Sequence, residues 1–303
     1  MNASTQQITP ELRRWIVAQA EAGCQPEDVV KAMQASGWAE DVALAAMEET
    51  LRGRLAEVRA DGRGAARPEV YGEAGAALRS DIPQGARVPR PAIDEGATEI
   101  VIDGHVVQVV VSMQAPQLVV FGHLLTDAEC DGLMDLSRPR LERSETVKND
   151  TGGSEVNPSR TSDGMFFTRG ETTLIDRVER RIAALVNWPL DHGEGLQILR
   201  YRPGAEYKPH HDYFDPVHAG TPRILERGGQ RVATIVTYLN QPERGGATIF
   251  PDVGLQVAPV RGSAVFFTYD RPHKVTRTLH GGAPVLAGEK WVATKWLRER
   301  VFT

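Results

Sequence analysis

The segment YKPHHDYF, residues 207–214, places two histidines and an aspartate in consecutive positions. On an extended strand side chains alternate faces, so His210 and Asp212 project to one side and His211 to the other. An imidazole and a carboxylate on one face form half of a site for a metal that accepts nitrogen and oxygen ligands, and such a site needs no thiolate. A third ligand must come from elsewhere in the chain. Of the other histidines, His105 and His123 precede the main array of strands, and His192 and His218 fall in loops. His280, at the end of the apparent strand KVTRTLH in the same array, is the best placed, and His273, after Pro272, ranks second. Two histidines and one carboxylate leave three positions open on Fe(II), enough for a bidentate co-substrate and oxygen. A bidentate keto acid also needs a fixed cation for its distal carboxylate. Lys290, flanked by Glu289 and Trp291 at the start of the last apparent strand, is the candidate.

These groups need a rigid scaffold, and the second part of the chain supplies a pattern for one. EIVIDGHVVQVVV is two apolar runs about Asp103-Gly104, a hairpin signal. Thr126-Asp-Ala-Glu129 reads as a capping box opening a helix, and Leu174, Ile175, Val178, Ile182 and Leu185 draw an apolar stripe on a second helix before Pro189. The segments LQILRY, YKPHHDYF, RVATIVTYLN, ATIF, LQVAPV, SAVFFTY, KVTRTLH and KWVATKWLRE follow as short strands separated by Gly/Pro turns. So many short strands predict two packed sheets or a jelly roll, because one open sheet would expose its edges. The fold class expected is α+β, with a double-stranded β-helix, flanking helices and a separate small helical module at the N-terminus. Apolar strand residues such as Ile235 and Phe266 are expected to keep water from the site.

That module spans residues 1–58. Thr9 and Pro10 open a first helix that Gly23 can end, Pro26 opens a second that stops at Ser36-Gly37, and a third runs from about Ala39 to Leu55. Leu12, Trp15, Ile16, Val29, Val30, Met33, Val42, Ala46, Met47 and Leu51 recur at helical spacing and are expected to fill its core. Residues 59–97, rich in Gly, Ala, Arg and Pro, read as a flexible linker, and 98–303 as the main domain.

With 35 basic and 40 acidic residues, the 303-residue chain carries a net charge of −5, which disfavours nucleic acid as a partner. No run of about 18 uncharged apolar residues offers a membrane span, and the N-terminus lacks the basic and apolar regions of an export signal. The two cysteines, Cys24 and Cys130, lie far apart and fit free thiols in a reducing cytoplasm.

From about Gln117 to Arg300 the chain strongly resembles the prolyl 4-hydroxylase family of Fe(II)- and 2-oxoglutarate-dependent dioxygenases. The resemblance rests on LQILRYRPGAEYKPHHDYF, GGQRVATIVTYLN, GGATIFPDVG, GSAVFF and HGGAPVLAGEKWVATKWL, in the family's order. It implies His210, Asp212 and His280 as iron ligands, excluding His273, and Lys290 as the 2-oxoglutarate anchor, with Tyr201 and Thr248 lining the co-substrate pocket. It places Arg160, Ser162, Tyr207, Arg231 and Trp296 at or near the substrate groove. Phe166 stands where relatives often have tryptophan, and Arg298 where they often have histidine. The activity implied is hydroxylation at C4 of a prolyl residue in a peptide or protein, consuming O2 and 2-oxoglutarate, with ascorbate as the expected reductant. The alternatives are a hydroxylase of a free amino acid or other small molecule, and a binding protein on the same barrel. Residues 9–55, by the SGW turn at 36–38 and the Ala/Met-rich helix after it, are similar to ubiquitin-associated-like three-helix modules, which implies a protein partner for the N-terminal helices.

Overall fold

The structure is a computed structural model that describes residues 8–21, 26–60, 85–94, 96–147, 154–156 and 161–303. The chain divides into two compact units, Met1–Ala76 and Ala77–Thr303.

In the first unit, three helices span Pro10–Glu21, Pro26–Ala35 and Glu40–Ala60. The hydroxyl of Thr9 accepts from the Leu12 amide at 3.3 Å, satisfying a donor of the first turn that has no partner within the helix. At the end of the second helix Gly37 takes a positive φ of 90°, which lets the Trp38 amide reach the Met33 carbonyl at 3.1 Å. Ile16, Val29, Val30, Met33, Ala43 and Ala46 form the core, with Leu12, Trp38, Met47 and Leu51 packed against it. Trp15, expected inside, is 37% exposed. It sits one position before Ile16, on the outer side of the stripe that Leu12 and Ile16 define. The third helix continues past Leu55 to Ala60, beyond the expected end of the module. The expected stop at Gly23 and the thiol of Cys24 lie outside the described residues, as does most of the expected linker.

The last part of that linker belongs to the second unit. Val88 is buried there and Ile93 packs beside it, while the Ala86 amide donates to the Asp270 carbonyl and that of Arg90 to Val186. Two apolar side chains in a Gly/Pro-rich stretch are enough to dock it once neighbouring backbone offers acceptors.

The second unit is built on a nine-stranded antiparallel sheet. Its strands run in the spatial order Glu99–Ile102, His105–Met113, Gln117–Gly122, Ala264–Thr268, Arg231–Tyr238, Lys290–Arg298, Leu196–Tyr201, Asp163–Phe167 and Glu142–Arg143. The first hairpin turns through Asp103 and Gly104, both at positive φ (49° and 78°), as a two-residue turn of that sequence requires. A four-stranded antiparallel sheet, ordered Leu255–Val257, Thr248–Phe250, His280–Gly282 and Tyr207–His210, completes a jelly-roll-type arrangement. Alternation along the central strands serves two cores. Val119, Phe121, Ile198, Ala233, Ile235, Phe266, Trp291 and Ala293 pack with residues of the helices Asp127–Ser137 and Thr173–Leu185. Leu118, Val120, Leu199, Tyr201, Tyr238, Phe267 and Val292 share the other core with Phe250 and Val257 of the small sheet. Ile235 and Phe266 therefore pack with the helix-side core and do not line the site. The expectation that they were buried holds, but a strand covered on both faces carries no sequence mark saying which face is which.

The two helices are tied by charge as well as packing. Glu129 closes the expected capping box, accepting from the Thr126 amide at 3.0 Å, while the Thr126 hydroxyl accepts from the Glu129 amide at 3.2 Å. Its carboxylate also receives two hydrogen bonds from Arg181 of the second helix, at 2.6 and 2.9 Å. Burial opposes its ionisation, but the Arg181 hydrogen bonds and the Thr126 amide outweigh that and bring its pKa down to about 2. Glu129→Ala leaves Arg181, itself only 9% exposed, without its counter-charge. The expected loss is about 3–5 kcal/mol, a fall in Tm of roughly 10 °C for a domain of this size, read by thermal circular dichroism. An unchanged Tm would mean that Arg181 does not depend on Glu129. Among the described residues, no helix is long and apolar enough to cross a membrane.

Candidate metal centre

The strands Tyr207–His210 and His280–Gly282 pair antiparallel with His210 opposite His280, which sets their rings 4.5 Å apart between centroids. The ordered strand stops at His210, so Asp212 is not on it as expected. The chain bends there, and the bend still brings Asp212 under both imidazoles: its Oδ1 lies 3.5 Å from His210 Nε2 and its Oδ2 3.4 Å from His280 Nε2. Nor does His280 end a strand. Lys274–Thr276 is a turn of 3-10 helix, Arg277 has a positive φ of 54°, and the strand begins at His280. The ligand atoms of His210, Asp212 and His280 all lie within 4.8 Å of one another. His273 caps the 3-10 turn, its Nδ1 accepting from the Val275 amide.

Both ligand-bearing imidazoles are oriented by the backbone. His210 Nδ1 is 2.9 Å from the Lys208 carbonyl and His280 Nδ1 is 2.9 Å from the Thr278 carbonyl. A carbonyl can only accept, so each Nδ1 carries the proton and each Nε2 turns its lone pair toward the cluster, as a metal-ligating histidine requires. Burial brings the pKa of His280 down to about 4, against the opposing pull of Asp212, so its ring is neutral near pH 7. Burial opposes the ionisation of Asp212, but at the acid pH where the carboxylate would titrate the neighbouring imidazoles of His280 and His210 carry positive charge and hold its pKa far below the usual carboxylate range. Two neutral nitrogens and one anionic oxygen are the donor set that suits Fe(II) with open positions.

Tyr201, Thr248 and Lys290 join these three in the wall of a single cavity between the sheets. Lys290 pairs with Tyr201 across neighbouring strands, and its Nζ lies 5.5 Å from the ring centroids of Tyr201 and Tyr238. It is 4% exposed, and burial brings its pKa down to about 7. Among the described residues no carboxylate forms a salt bridge with it. Thr248 is fixed by the Tyr238 hydroxyl, which donates to its Oγ1 at 2.7 Å.

Residues 196–298 match the 2OG-Fe(II) oxygenase superfamily. Prolyl 4-hydroxylase 1 of Arabidopsis thaliana is 39% identical over 253 residues, covering 77% of this chain and 87% of that protein. Probable prolyl 4-hydroxylase 3 of the same plant is 38% identical over 204 residues, covering 60% and 69%. The chain belongs to the prolyl 4-hydroxylase family of 2OG-Fe(II) oxygenases. A viral collagen prolyl hydroxylase from Paramecium Bursaria Chlorella virus-1, in its 2OG complex, matches with 28% identity and a TM-score of 0.47, over 60% of this chain and 95% of that one.

The positions that the family resemblance implied for a substrate groove are scattered. Tyr207 and Trp296 line the cavity, with Tyr207 stacked on His210 at 3.7 Å between centroids. Arg231 lies 4.0 Å over the Trp296 ring and donates two hydrogen bonds to Glu194, at 2.6 and 2.9 Å. Ser162 is fully buried and bonds the Ser144 hydroxyl at 3.0 Å, a packing contact away from the cavity wall. Arg160 lies outside the described residues. Arg298 sets its Nε 2.8 Å from the same Glu194.

Sequence reasoning missed several residues that support this site. The Thr234 hydroxyl donates to Asp212 Oδ2 at 2.7 Å and lies 2.8 Å from the Tyr269 hydroxyl, all three groups being buried. Tyr238 and Glu194 were missed too. Strand parity held part of the signal, because Thr234 and Val236, like Lys290, Val292, Thr294 and Trp296, recur every second residue along the cavity wall.

Proposed function

We propose that this chain is an Fe(II)- and 2-oxoglutarate-dependent dioxygenase that hydroxylates C4 of a prolyl residue in a peptide or protein. The observation that carries the reading is the backbone-oriented His210, Asp212 and His280 cluster sharing one cavity with a buried lysine that, among the described residues, no carboxylate pairs. His210, Asp212 and His280 would hold the iron, which, with O2 and 2-oxoglutarate, supplies oxidative decarboxylation to succinate and CO2 coupled to hydroxylation. The chain's own part is positioning. Lys290 would hold the distal carboxylate of the keto acid, with Tyr201 and Thr248 shaping its pocket. Leu199, Val236 and Val292 line the same cavity with apolar surface and limit water there. Tyr207 and Trp296 line the same cavity and would seat the substrate. The proline-specific part rests on the named activity of the relatives.

The test is anaerobic titration of the protein with Fe(II) and 2-oxoglutarate, followed by exposure to air with proline-containing peptides. A visible charge-transfer band from the chelated keto acid, and peptide products heavier by one oxygen at proline, are the expected results. No band would sink the metal assignment, and a band with oxidation of free amino acids alone would sink the peptide substrate. Omitting ascorbate, proposed as the reductant, should shorten the period of linear turnover.

Thr234→Val removes the hydroxyl that orients Asp212 without altering side-chain shape. The expected outcome is a fall in Fe(II) affinity of roughly 10–100-fold, the usual consequence of losing a hydrogen-bond partner of a ligand, read by metal titration. We further propose that the N-terminal helices recruit a protein partner, on the ground that they possess their own core. Turnover on a protein substrate unchanged by deletion of residues 1–58 would refute it.

A further inference from the structure

A second cavity, of about 440 Å³, is lined by Phe166, Arg169, Glu194, Arg227 and Phe302 among others. Two contacts join it to the first cavity. The Phe166 ring lies 6.4 Å from that of Trp296, which lines the metal-centre cavity, and Glu194 holds the Arg231 guanidinium over the same indole. A polypeptide seated against Trp296 would thus have this second cavity within reach of its flanking residues.

The charge of the second cavity is one-sided. Among the described residues Glu194 is the only acidic one in its wall, and both Arg231 and Arg298 already neutralise it. Burial opposes its ionisation, but these two guanidiniums keep its pKa below the ordinary value, so it remains a filled acceptor. Among the described residues Arg169 forms no ion pair with an acidic side chain, and neither does Arg227. Both are held by the end of the chain, Arg169 Nη2 donating to the Phe302 carbonyl and Arg227 Nε to a terminal oxygen of Thr303, the last residue of the sequence. Arg169 Nε is buried and, among the described residues, has no hydrogen-bond partner. A buried guanidinium N–H left unpaired is costly, and a planar carboxylate is the acceptor that its geometry fits best. The rings of Phe166, which is 49% exposed, and Phe302 supply apolar surface for the methylene groups that would carry such a carboxylate.

We propose that this second cavity is a subsite for an acidic side chain flanking the target proline, with Arg169 and Arg227 as the groups that select it. The proposal rests on the prolyl hydroxylase reading above and narrows its substrate class. Substrate would be recognised at two points, the proline at the metal centre and a glutamate or aspartate in the arginine-lined cavity.

The test uses the full chain and a set of fluorescein-labelled peptides with one central proline, in which each of three positions on either side is Glu, Gln or Lys. Hydroxyproline formation gives KM, and fluorescence anisotropy gives binding independently of chemistry. At one flanking position the Glu peptide should have a KM about tenfold below that of Gln, as a charge-assisted hydrogen bond implies, with Lys weaker still. The ratio should shrink as salt is raised. Arg169→Gln and Arg227→Gln should each bring the Glu-to-Gln ratio toward one. Arg169 is half-buried and holds the Phe302 carbonyl, whereas Arg227 is exposed and, among the described residues, hydrogen-bonds only the last, so the Arg227 variant is the one less prone to a folding defect, and thermal circular dichroism checks it. Equal KM for Glu and Gln at every position, or a ratio unchanged in the Arg227 variant, overturns the subsite. Acid-selective binding with no hydroxyproline would keep the subsite and overturn the prolyl chemistry, whereas hydroxylation without selectivity would do the reverse.

Discussion

Asp212→Ala is expected to give a folded protein that makes no hydroxylated product. The substitution removes the one anionic ligand of the cluster, leaving the imidazoles of His210 and His280 without the charge that holds a divalent cation. It also takes the acceptor from Thr234, whose hydroxyl is linked in turn to that of Tyr269. Losing only a supporting hydrogen bond to a ligand typically costs roughly 10–100-fold, so loss of the ligand itself should exceed that in metal affinity. Asp212→Asn separates the two effects, since the amide oxygen can still accept from Thr234 while the charge is gone. The measurements are Fe(II) affinity by titration, product by mass spectrometry and fold by circular dichroism. An Asp212→Ala protein that turns over at the wild-type rate would remove Asp212 from the ligand set.

How much of this was legible beforehand divides along a physical line. The Asp103-Gly104 hairpin and the Thr126/Glu129 capping box are written in a few consecutive residues, because the turn and the cap are made by local backbone geometry. The His210 and Asp212 pair was also visible locally, although the reason offered, one continuous strand, was incomplete: a bend after His210 does the final aiming. His280 could be ranked by its place in the array. The register that sets it opposite His210 depends on two segments far apart in the chain. The same limit hid Thr234 and Tyr269, separated by 35 positions and meeting only where their strands approach the Asp212 carboxylate. Ile235 and Phe266 show the complementary error. Their apolar character correctly announced burial, but both faces of the central sheet are covered, and only the packed helices decide which core they join.

Lys290→Met should raise the KM for 2-oxoglutarate by about two orders of magnitude, the scale for truncating one partner of a buried charge pair, with a smaller effect at saturating co-substrate. Methionine keeps the apolar stem against Tyr201 and Tyr238 and removes only the ammonium group. The pH dependence is a sharper sign of the same role. Burial lowers the pKa of Lys290 from 10.5 to about 7, so the ligand-free protein binds fewer protons here than an unfolded chain does between those values. Its stability therefore rises with pH through that window, as neutralising the buried amine relieves the cost of its charge. A bound keto acid reverses the balance, because its carboxylate favours the ammonium form and raises the pKa. Binding at about pH 6 should then take up almost no proton at Lys290, while binding at about pH 8 should take up nearly one, and affinity should fall by up to about tenfold per pH unit above roughly 7. Calorimetry of 2-oxoglutarate binding to the anaerobic metal-loaded protein, in two buffers of different ionisation enthalpy, reads the proton uptake directly. Its disappearance in Lys290→Met would assign the titration to this side chain. Equal uptake in both proteins would place the titrating group elsewhere and leave Lys290 without the role of anchor.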